Sequence, residues 1–276
     1  MVKPAASKPA DGEKRPSTER RPGGPGGAGG GGEGGGGRSF SRRTLLLLAA
    51  AVVLVAGTAV AVVTVRSGNQ ASLTSIRPSG IPANISTPDA ALMGLDSLPT
   101  HRAPGFTLTD QSGQTLSLDS FRGRPVILEF MDPHCTDICP ILSQEFVDAY
   151  HDLGSAGHRA VFLAVNVNKY ALGVSAIAAF SKAHQLDTIP TWHFFTGPLP
   201  TLEQLWTKYE IAVTAPGPNA DVLHTSIVYF IGPNGHERYL AAPAVTHTKT
   251  GQAFLPTNQI TAWGHGIATL ARDLGA

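Results

Sequence analysis

The chain has 276 residues, of which 42% are hydrophobic, and it carries 21 Lys or Arg against 20 Asp or Glu, for a formal net charge of +1. This charge is unevenly divided: residues 1–43 hold nine basic and four acidic residues (+5), and the remainder holds 12 and 16 (−4). An acidic remainder excludes the class of nucleic-acid-binding domains, because their affinity depends on a basic surface.

Residues 1–41 predict a disordered tail. Twelve of the fifteen residues from 23 to 37 are Gly, and the rest of the tail mixes Pro with charged residues, so no hydrophobic core can form there. Its basic character is typical of a cytoplasmic tail that orients a membrane segment.

A stretch without charged residues follows from 44 to 65 and is rich in Leu, Ala and Val. Its length predicts a single transmembrane helix, within an anchor region at 42–66. The basic residues before it orient the N-terminus toward the cytoplasm, so we expect a single-pass protein of the cell membrane with its domain outside the cytoplasm. One alternative stays open, since Ser41 to Leu46 resembles a twin-arginine export signal with a small-residue cleavage site ending at Ala61.

The rest of the chain predicts a spacer and one domain. Residues 67–103 contain four prolines, which indicates a loosely ordered spacer. In residues 104–276 apolar strands alternate with helices, so the fold class is α/β, a mixed sheet flanked by helices with an added N-terminal hairpin. The predicted strands are 106–109, 115–118, 125–131, 160–167, 192–195, 226–231 and 237–240, and the predicted helices are 138–155, 174–184, 202–209 and 258–274.

The only two cysteines, Cys135 and Cys139, directly follow the apolar run 125–131. On a helix, a spacing of four residues places two sulfur atoms about 6 Å apart on one face. Two such sulfurs can form a disulfide or bind one soft metal ion. Unpaired backbone N–H groups at a helix start would favour the thiolate form. The spacing alone leaves both kinds of chemistry open.

Four segments together resemble the Sco/SenC copper-protein family, over most of residues 104–242. The resemblance implies a thioredoxin-like fold in which Cys135, Cys139 and His224 bind one copper ion, as Cu(I) or Cu(II). This chain departs from the family where Thr136 replaces a common Pro and where residues 166–169 replace an acidic turn. The similar segments are Phe106-Thr107-Leu108-Thr109-Asp110, Gly123-Arg124-Pro125-Val126, His134 to Pro140, and Leu223 to Gly235.

The resemblance also implies a function. We expect a membrane-anchored copper-binding protein that delivers copper to, or reduces the cysteines of, the dicopper centre of a haem–copper respiratory oxidase. Its partners would be the copper-receiving subunit of that oxidase and a thiol reductant protein that restores the cysteines. This role is closer to that of a copper chaperone than to that of an enzyme.

Three alternatives use the same cysteines without copper. The first is a structural disulfide, which suits an exported domain. The second is a thiol-disulfide oxidoreductase, in which Cys135 attacks a partner disulfide and Cys139 resolves the intermediate, although such enzymes commonly use Cys-x-x-Cys. The third is a peroxiredoxin, whose motif Pro133 and Thr136 miss by one residue.

The other candidate residues are expected to have supporting or structural roles. His134 adjoins Cys135, but neighbours on an extended segment point to opposite sides, so we expect His134 beside the site. His247 and His265 lie beyond the matched segments. Met131 belongs to the buried strand, and Asp137 precedes a helix, where it would cap the first turn.

Overall fold

The structure is a computed structural model that describes residues 77–243 and 245–276, and its centre is an eight-stranded mixed sheet. The sheet strands are β1 (Asp96–Arg102), β2 (Thr107–Asp110), β3 (Thr115–Ser117), β4 (Val126–Met131), β5 (Val161–Asn166) and β6 (Trp192–Thr196), together with β9 (Val228–Ile231) and β10 (His236–Ala241). Across the sheet their order is β1-β10-β9-β4-β5-β6-β2-β3. The β4–β5 and β5–β6 pairs are parallel, and the other neighbours are antiparallel.

Two small ribbons lie outside the central sheet. One pairs β7 (Val213–Thr214) with β8 (Leu223–His224), and the other pairs β11 (Thr246–His247) with β12 (Ala253–Phe254). Strands of two residues leave no hydrophobic pattern in a sequence, so neither ribbon was predicted.

Helices cover both faces of the sheet. The helices are α1 (Thr87–Leu92), α2 (Cys139–Leu153), α3 (Val174–Ala183), α4 (Leu199–Lys208) and α5 (Thr257–Asp273). Buried side chains of α1, α2, α3 and α5 pack on one face, and those of α4 pack on the other together with the 3-10 turn Leu118–Phe121. The predicted mixed sheet flanked by helices, with an N-terminal hairpin formed by β2 and β3, is therefore confirmed.

The central strand β4 is buried along its whole length. Ile127 and Met131 pack on the face with α2 and α5, whereas Leu128 and Phe130 pack on the face with α4. Each such side chain contributes about 1.5–3 kcal/mol relative to an exposed one. The carboxyl end of β4 is thus fixed in the core, and the segment with the two cysteines starts from that fixed point.

The prediction of a spacer over residues 67–103 is wrong for the second half of that range. Helix α1 and strand β1 lie there, β1 pairs with β10, and Met93 and Leu95 are buried in the core. The prolines that suggested a spacer stand where their missing N–H costs little. Pro88 lies in the first turn of α1, and Pro99 lies in an edge strand at a shift of register.

The predicted tail (1–41) and transmembrane stretch (44–65) lie outside the described residues. Within 77–243 and 245–276 no helix is both long enough and apolar enough to cross a membrane.

Candidate thiol and metal site

The two cysteines lie between the end of β4 and the first turn of α2. Cys139 is the first residue of α2 and is 0% exposed, with its side chain in the hydrophobic core. Cys135 is partly buried in the preceding loop, and its Sγ accepts a hydrogen bond from the backbone N–H of Cys139 at 3.3 Å. Pro140 occupies the first turn of α2, where no N–H is required. The sequence therefore presents one sulfur toward solvent and one toward the core.

The two thiols differ in acidity. A hydrogen bond from the Cys139 side chain lowers the pKa of Cys135 to about 7, and backbone N–H groups of Cys139 and Asp137 add to this effect against the cost of burial. The same hydrogen bond and nearly complete burial raise the pKa of Cys139 well above its usual value. Near neutral pH Cys135 is therefore the nucleophilic sulfur, and Cys139 keeps its proton.

Asp132 fixes the loop that carries Cys135. Its backbone carbonyl accepts from the Cys135 N–H at 3.1 Å, and its Oδ1 accepts from the His134 N–H and from Nδ2 of Asn168, both at 2.8 Å. Asn168 follows β5, the strand parallel to β4. Our sequence reasoning missed this buried pair, although the carboxyl ends of adjacent parallel strands meet at one edge of a sheet.

His224 reaches the site from the β7–β8 ribbon, where it pairs with Val213. Its Nδ1 lies 3.0 Å from the backbone carbonyl of Thr225. Burial lowers the pKa of the His224 imidazole, against the opposing effects of this carbonyl and of Asp132. A neutral ring that donates its Nδ1–H to Thr225 leaves Nε2 with a free lone pair, which is the form that binds a metal ion.

Cys135 and His224 line the same open cleft, which has a volume of about 510 Å³. Cys139 lies in the core beside it. In the part of the chain that the structure describes, no three His, Cys, Asp or Glu side chains stand in an arrangement that could hold a metal ion. The residue types nevertheless fit a soft cation, because two sulfurs and a neutral imidazole are the donors that copper prefers. The predicted ligand set stays a prediction.

The other sequence candidates occupy different positions. Met131 is fully buried in β4, as expected for a structural residue. The side chain of His134 is exposed next to Cys135. His265 lies on α5, where its Nδ1 is 2.6 Å from the carboxylate of Asp152.

The role predicted for Asp137 is wrong. Helix α2 begins without a side-chain cap. The Asp137 carboxylate instead accepts from the backbone N–H of Ala253 at 2.5 Å and lies 3.4 Å from Nε2 of His247. It therefore ties the β11–β12 ribbon to the cysteine loop, a contact across more than 100 residues that no local pattern indicates.

A model of the SCO1/SenC family matches residues 96–252, more than half of the chain, and spans both cysteines and His224. This chain belongs to the SCO1/SenC family. The SCO1 protein homolog of Bacillus subtilis (strain 168) is 25% identical over 132 residues, which cover 47% of this chain and 68% of that relative. A chloroplastic peroxiredoxin Q of Populus jackii is 35% identical over 83 residues, which cover 30% of this chain and 36% of that relative.

Solved structures of SCO1/SenC proteins share the fold. A SCO1/SenC family lipoprotein from Bacillus anthracis str. Ames superposes with a TM-score of 0.52 at 18% identity, over 65% of this chain and 98% of that structure. Bradyrhizobium japonicum ScoI, whose structure was solved with copper bound, gives a TM-score of 0.48 at 19% identity, over 62% of this chain and 99% of that structure. The family match and the superposition on the Bacillus anthracis lipoprotein show that the fold of the described part is thioredoxin-like, as predicted.

Proposed function

We propose that this SCO1/SenC protein binds one copper ion through Cys135, Cys139 and His224, and that it serves the assembly of the dicopper centre of a haem–copper respiratory oxidase. The observation that carries the proposal is that Cys135 and His224, 89 positions apart in the sequence, line one open cleft beside Cys139. Membership of the family supports copper as the cargo.

The site chemistry favours capture and release of a soft cation. Cys135 is partly ionised at neutral pH, since its pKa is about 7, and the His224 ring is neutral. The ionised form of Cys135 and the neutral imidazole bind Cu(I) without first losing a proton, whereas Cys139 must release its proton to become a ligand. Because the cleft is open to solvent, a partner's ligands can approach the ion and replace those of the site one at a time.

Binding by all three residues requires a local movement. His224 belongs to a two-residue ribbon, whereas Cys139 is fixed in the core at the start of α2. We therefore assign the movement to the β7–β8 ribbon, none of whose four residues is fully buried.

The second action that we propose is reduction of the recipient's cysteines. The Cys135 thiolate attacks a sulfur of the partner disulfide and forms a mixed disulfide, which releases one partner thiolate. Cys139 then loses its proton and attacks Cys135 Sγ, which releases the second partner thiolate. The partner gains two electrons, and its two thiolates take one proton from Cys139 and one from solvent. The site then holds a Cys135–Cys139 disulfide, which a thiol reductant protein must reduce again.

The location is also a proposal. The uncharged stretch 44–65 would anchor the chain in the cell membrane with its N-terminus in the cytoplasm. The domain would then lie outside the cytoplasm.

Copper titration of the reduced chain tests the binding proposal. We expect one tightly bound equivalent of Cu(I), and a loss of affinity of at least about tenfold in Cys135→Ser and in His224→Ala, because each removes one of three donors. His265→Ala is the matched control, since His265 pairs with Asp152 outside the cleft. If His224→Ala binds copper as tightly as the parent, the ligand set is refuted.

A thiol-disulfide oxidoreductase without copper is the second candidate, and the low pKa of Cys135 beside a buried Cys139 favours it. The same variants separate the two functions. Rapid reduction of a disulfide substrate by the parent and by His224→Ala, together with weak copper binding by both, would support the oxidoreductase. The peroxiredoxin alternative has support from several chloroplastic peroxiredoxin Q relatives, but this chain covers at most 39% of the length of any of them, whereas the SCO1/SenC family model matches residues 96–252.

A further inference from the structure

The charged side chains around the cleft all carry the same sign. Apart from Cys135 and His224, its ionisable lining residues are Asp132, Asp137 and Asp221, and neither Lys nor Arg lines it. Asp221 is exposed and Asp137 is half-exposed. A concave surface lined by one sign of charge attracts molecules of the opposite sign and repels those of the same sign. The cleft therefore favours a basic partner and disfavours a surface of anionic lipid.

Exposed apolar side chains lie at the cleft and on the ribbon beside it. Leu223, which lines the cleft next to His224, is 68% exposed, and Phe254, at the end of the β11–β12 ribbon, is 53% exposed. The turn of that ribbon, residues 250–252, lines the cleft as well. Among the described residues only one other large apolar side chain, Tyr170, is comparably exposed, and it belongs neither to the cleft nor to the β11–β12 ribbon. Large exposed apolar side chains beside a site are typical of contacts with another protein.

The two rim segments are connected to the proposed ligands. Leu223 immediately precedes His224 on β8. The β11–β12 ribbon is tied to the cysteine loop through Asp137, which accepts from the N–H of Ala253. A partner that contacts Leu223 and Phe254 would therefore touch both segments that position the thiol and the imidazole.

We propose that Leu223, Phe254, Asp137 and Asp221 form a docking rim for a basic segment of a partner protein with apolar side chains between its positive charges. The inference rests on the proposed function, because it concerns the partner of the same site. Apolar contacts with Leu223 and Phe254 supply affinity, and the aspartates select for positive charge and speed association. The docking rim does not depend on bound metal.

Peptide binding to the metal-free, reduced full chain in detergent tests the docking rim. The probe is a short synthetic peptide in which Lys and Arg alternate with Leu and Val, without Cys, His or Met, so that it cannot bind copper through soft ligands. We expect binding that weakens as salt is added, and a loss of at least about fivefold in Leu223→Ser, Phe254→Ser and Asp221→Asn. Fluorescence anisotropy of the labelled peptide measures these affinities.

Three controls make the result specific. Tyr170→Ser removes an exposed apolar side chain elsewhere, and Asp187→Asn removes an exposed carboxylate outside the cleft. A peptide with Glu in place of Lys and Arg should not bind. The inference is overturned if the acidic peptide binds equally well, or if the control variants weaken binding as much as the rim variants do.

Copper titration of the same variants separates this inference from the proposed function. We expect Leu223→Ser to keep copper affinity while it loses the peptide, and Cys135→Ser to lose copper while it keeps the peptide. If no variant alters peptide binding while Cys135→Ser still loses copper, the docking rim is wrong and the copper site stands. If peptide binding depends on the rim but the parent binds no copper, the copper site is wrong and the docking rim stands.

Discussion

Glu129 and Glu145 are two carboxyl groups buried near the cysteines without hydrogen-bond partners. Glu129, in β4, is 0% exposed and Glu145, in α2, is 1% exposed, and none of their four oxygens has a partner in the described part of the chain. Burial raises the pKa of both side chains well above 4.5, with Glu145 and Cys135 adding to the shift at Glu129 and Asp148 adding to that at Glu145. Both are therefore protonated in the folded state at pH values where an exposed Glu is ionised.

This burial predicts that stability falls as the pH rises above about 4.5. The folded chain binds these protons more tightly than the unfolded chain, so the free energy of unfolding falls as pH rises from about 4.5 toward the raised pKa of each Glu. Glu129→Gln and Glu145→Gln cannot ionise. We expect each variant to gain at least about 1 kcal/mol over the parent between pH 5 and pH 8, since one unit of pKa corresponds to about 1.4 kcal/mol.

Urea unfolding of the reduced chain at the two pH values measures this gain. The exposed Glu203→Gln is the control and should follow the parent at both pH values. Equal pH dependence in the parent and the two buried variants would show that these carboxyl groups ionise normally in the folded state.

The candidate ligands could be predicted from the sequence because they belong to recognisable motifs. The contacts that hold these residues in place could not be predicted. Cys135 and Cys139 were evident from their spacing, and His224 from a segment similar to that of a known family. Asp132 was missed because its partner, Asn168, follows a different strand, and only the parallel pairing of β4 and β5 brings the two together.

At the level of elements, continuous apolar runs predicted the central strands and the long helices. These elements bury whole faces, so their hydrophobic pattern follows their geometry. The β7–β8 ribbon and the β11–β12 ribbon escaped prediction because two hydrogen-bonded residues leave no periodic signal. Residues of the β7–β8 ribbon and of the turn of the β11–β12 ribbon line the cleft, so the elements that were hardest to predict are those that border it.

The packing of α5 against α2 depends on a glycine. A Cβ at Gly264 would lie 2.6 Å from Cβ of Asp148 and 3.1 Å from the backbone N of Ala149. Two helices in such close contact cannot accept a methyl group without moving apart. The separation of α2 from α5 also sets where the first turn of α2, and hence Cys139, sits over the sheet.

Gly264→Ala is therefore expected to destabilise the fold by about 1–3 kcal/mol, despite the better helix propensity of Ala. Gly266→Ala is the matched control on the same helix, because its Cβ would meet the flexible end of the Met93 side chain rather than backbone. Urea unfolding measures both variants. A smaller loss in Gly264→Ala than in Gly266→Ala would contradict the close backbone contact.

For the whole molecule, the segment before the cysteines is part of the fold. Helix α1 contacts α5, and β1 covers the outer edge of β10 with a strand that contains Pro99. Met93 and Leu95 between them are buried in the same core as Cys139. The sequence did not indicate that this segment is folded, because α1 is only six residues long and a proline-containing edge strand resembles a linker.

Two truncated chains test this role. We expect a chain that starts at residue 77 to unfold cooperatively, and one that starts at residue 103 to lose at least about 3 kcal/mol, because it lacks the buried side chains of Met93 and Leu95. Removal of β1 also exposes the backbone N–H and C=O groups of β10, and such an edge pairs with other chains. Urea unfolding measures the first effect and sedimentation the second. Equal stability and a monomeric state in both truncated chains would contradict this prediction. Residues 77–102 would then be a linker and not part of the folded domain.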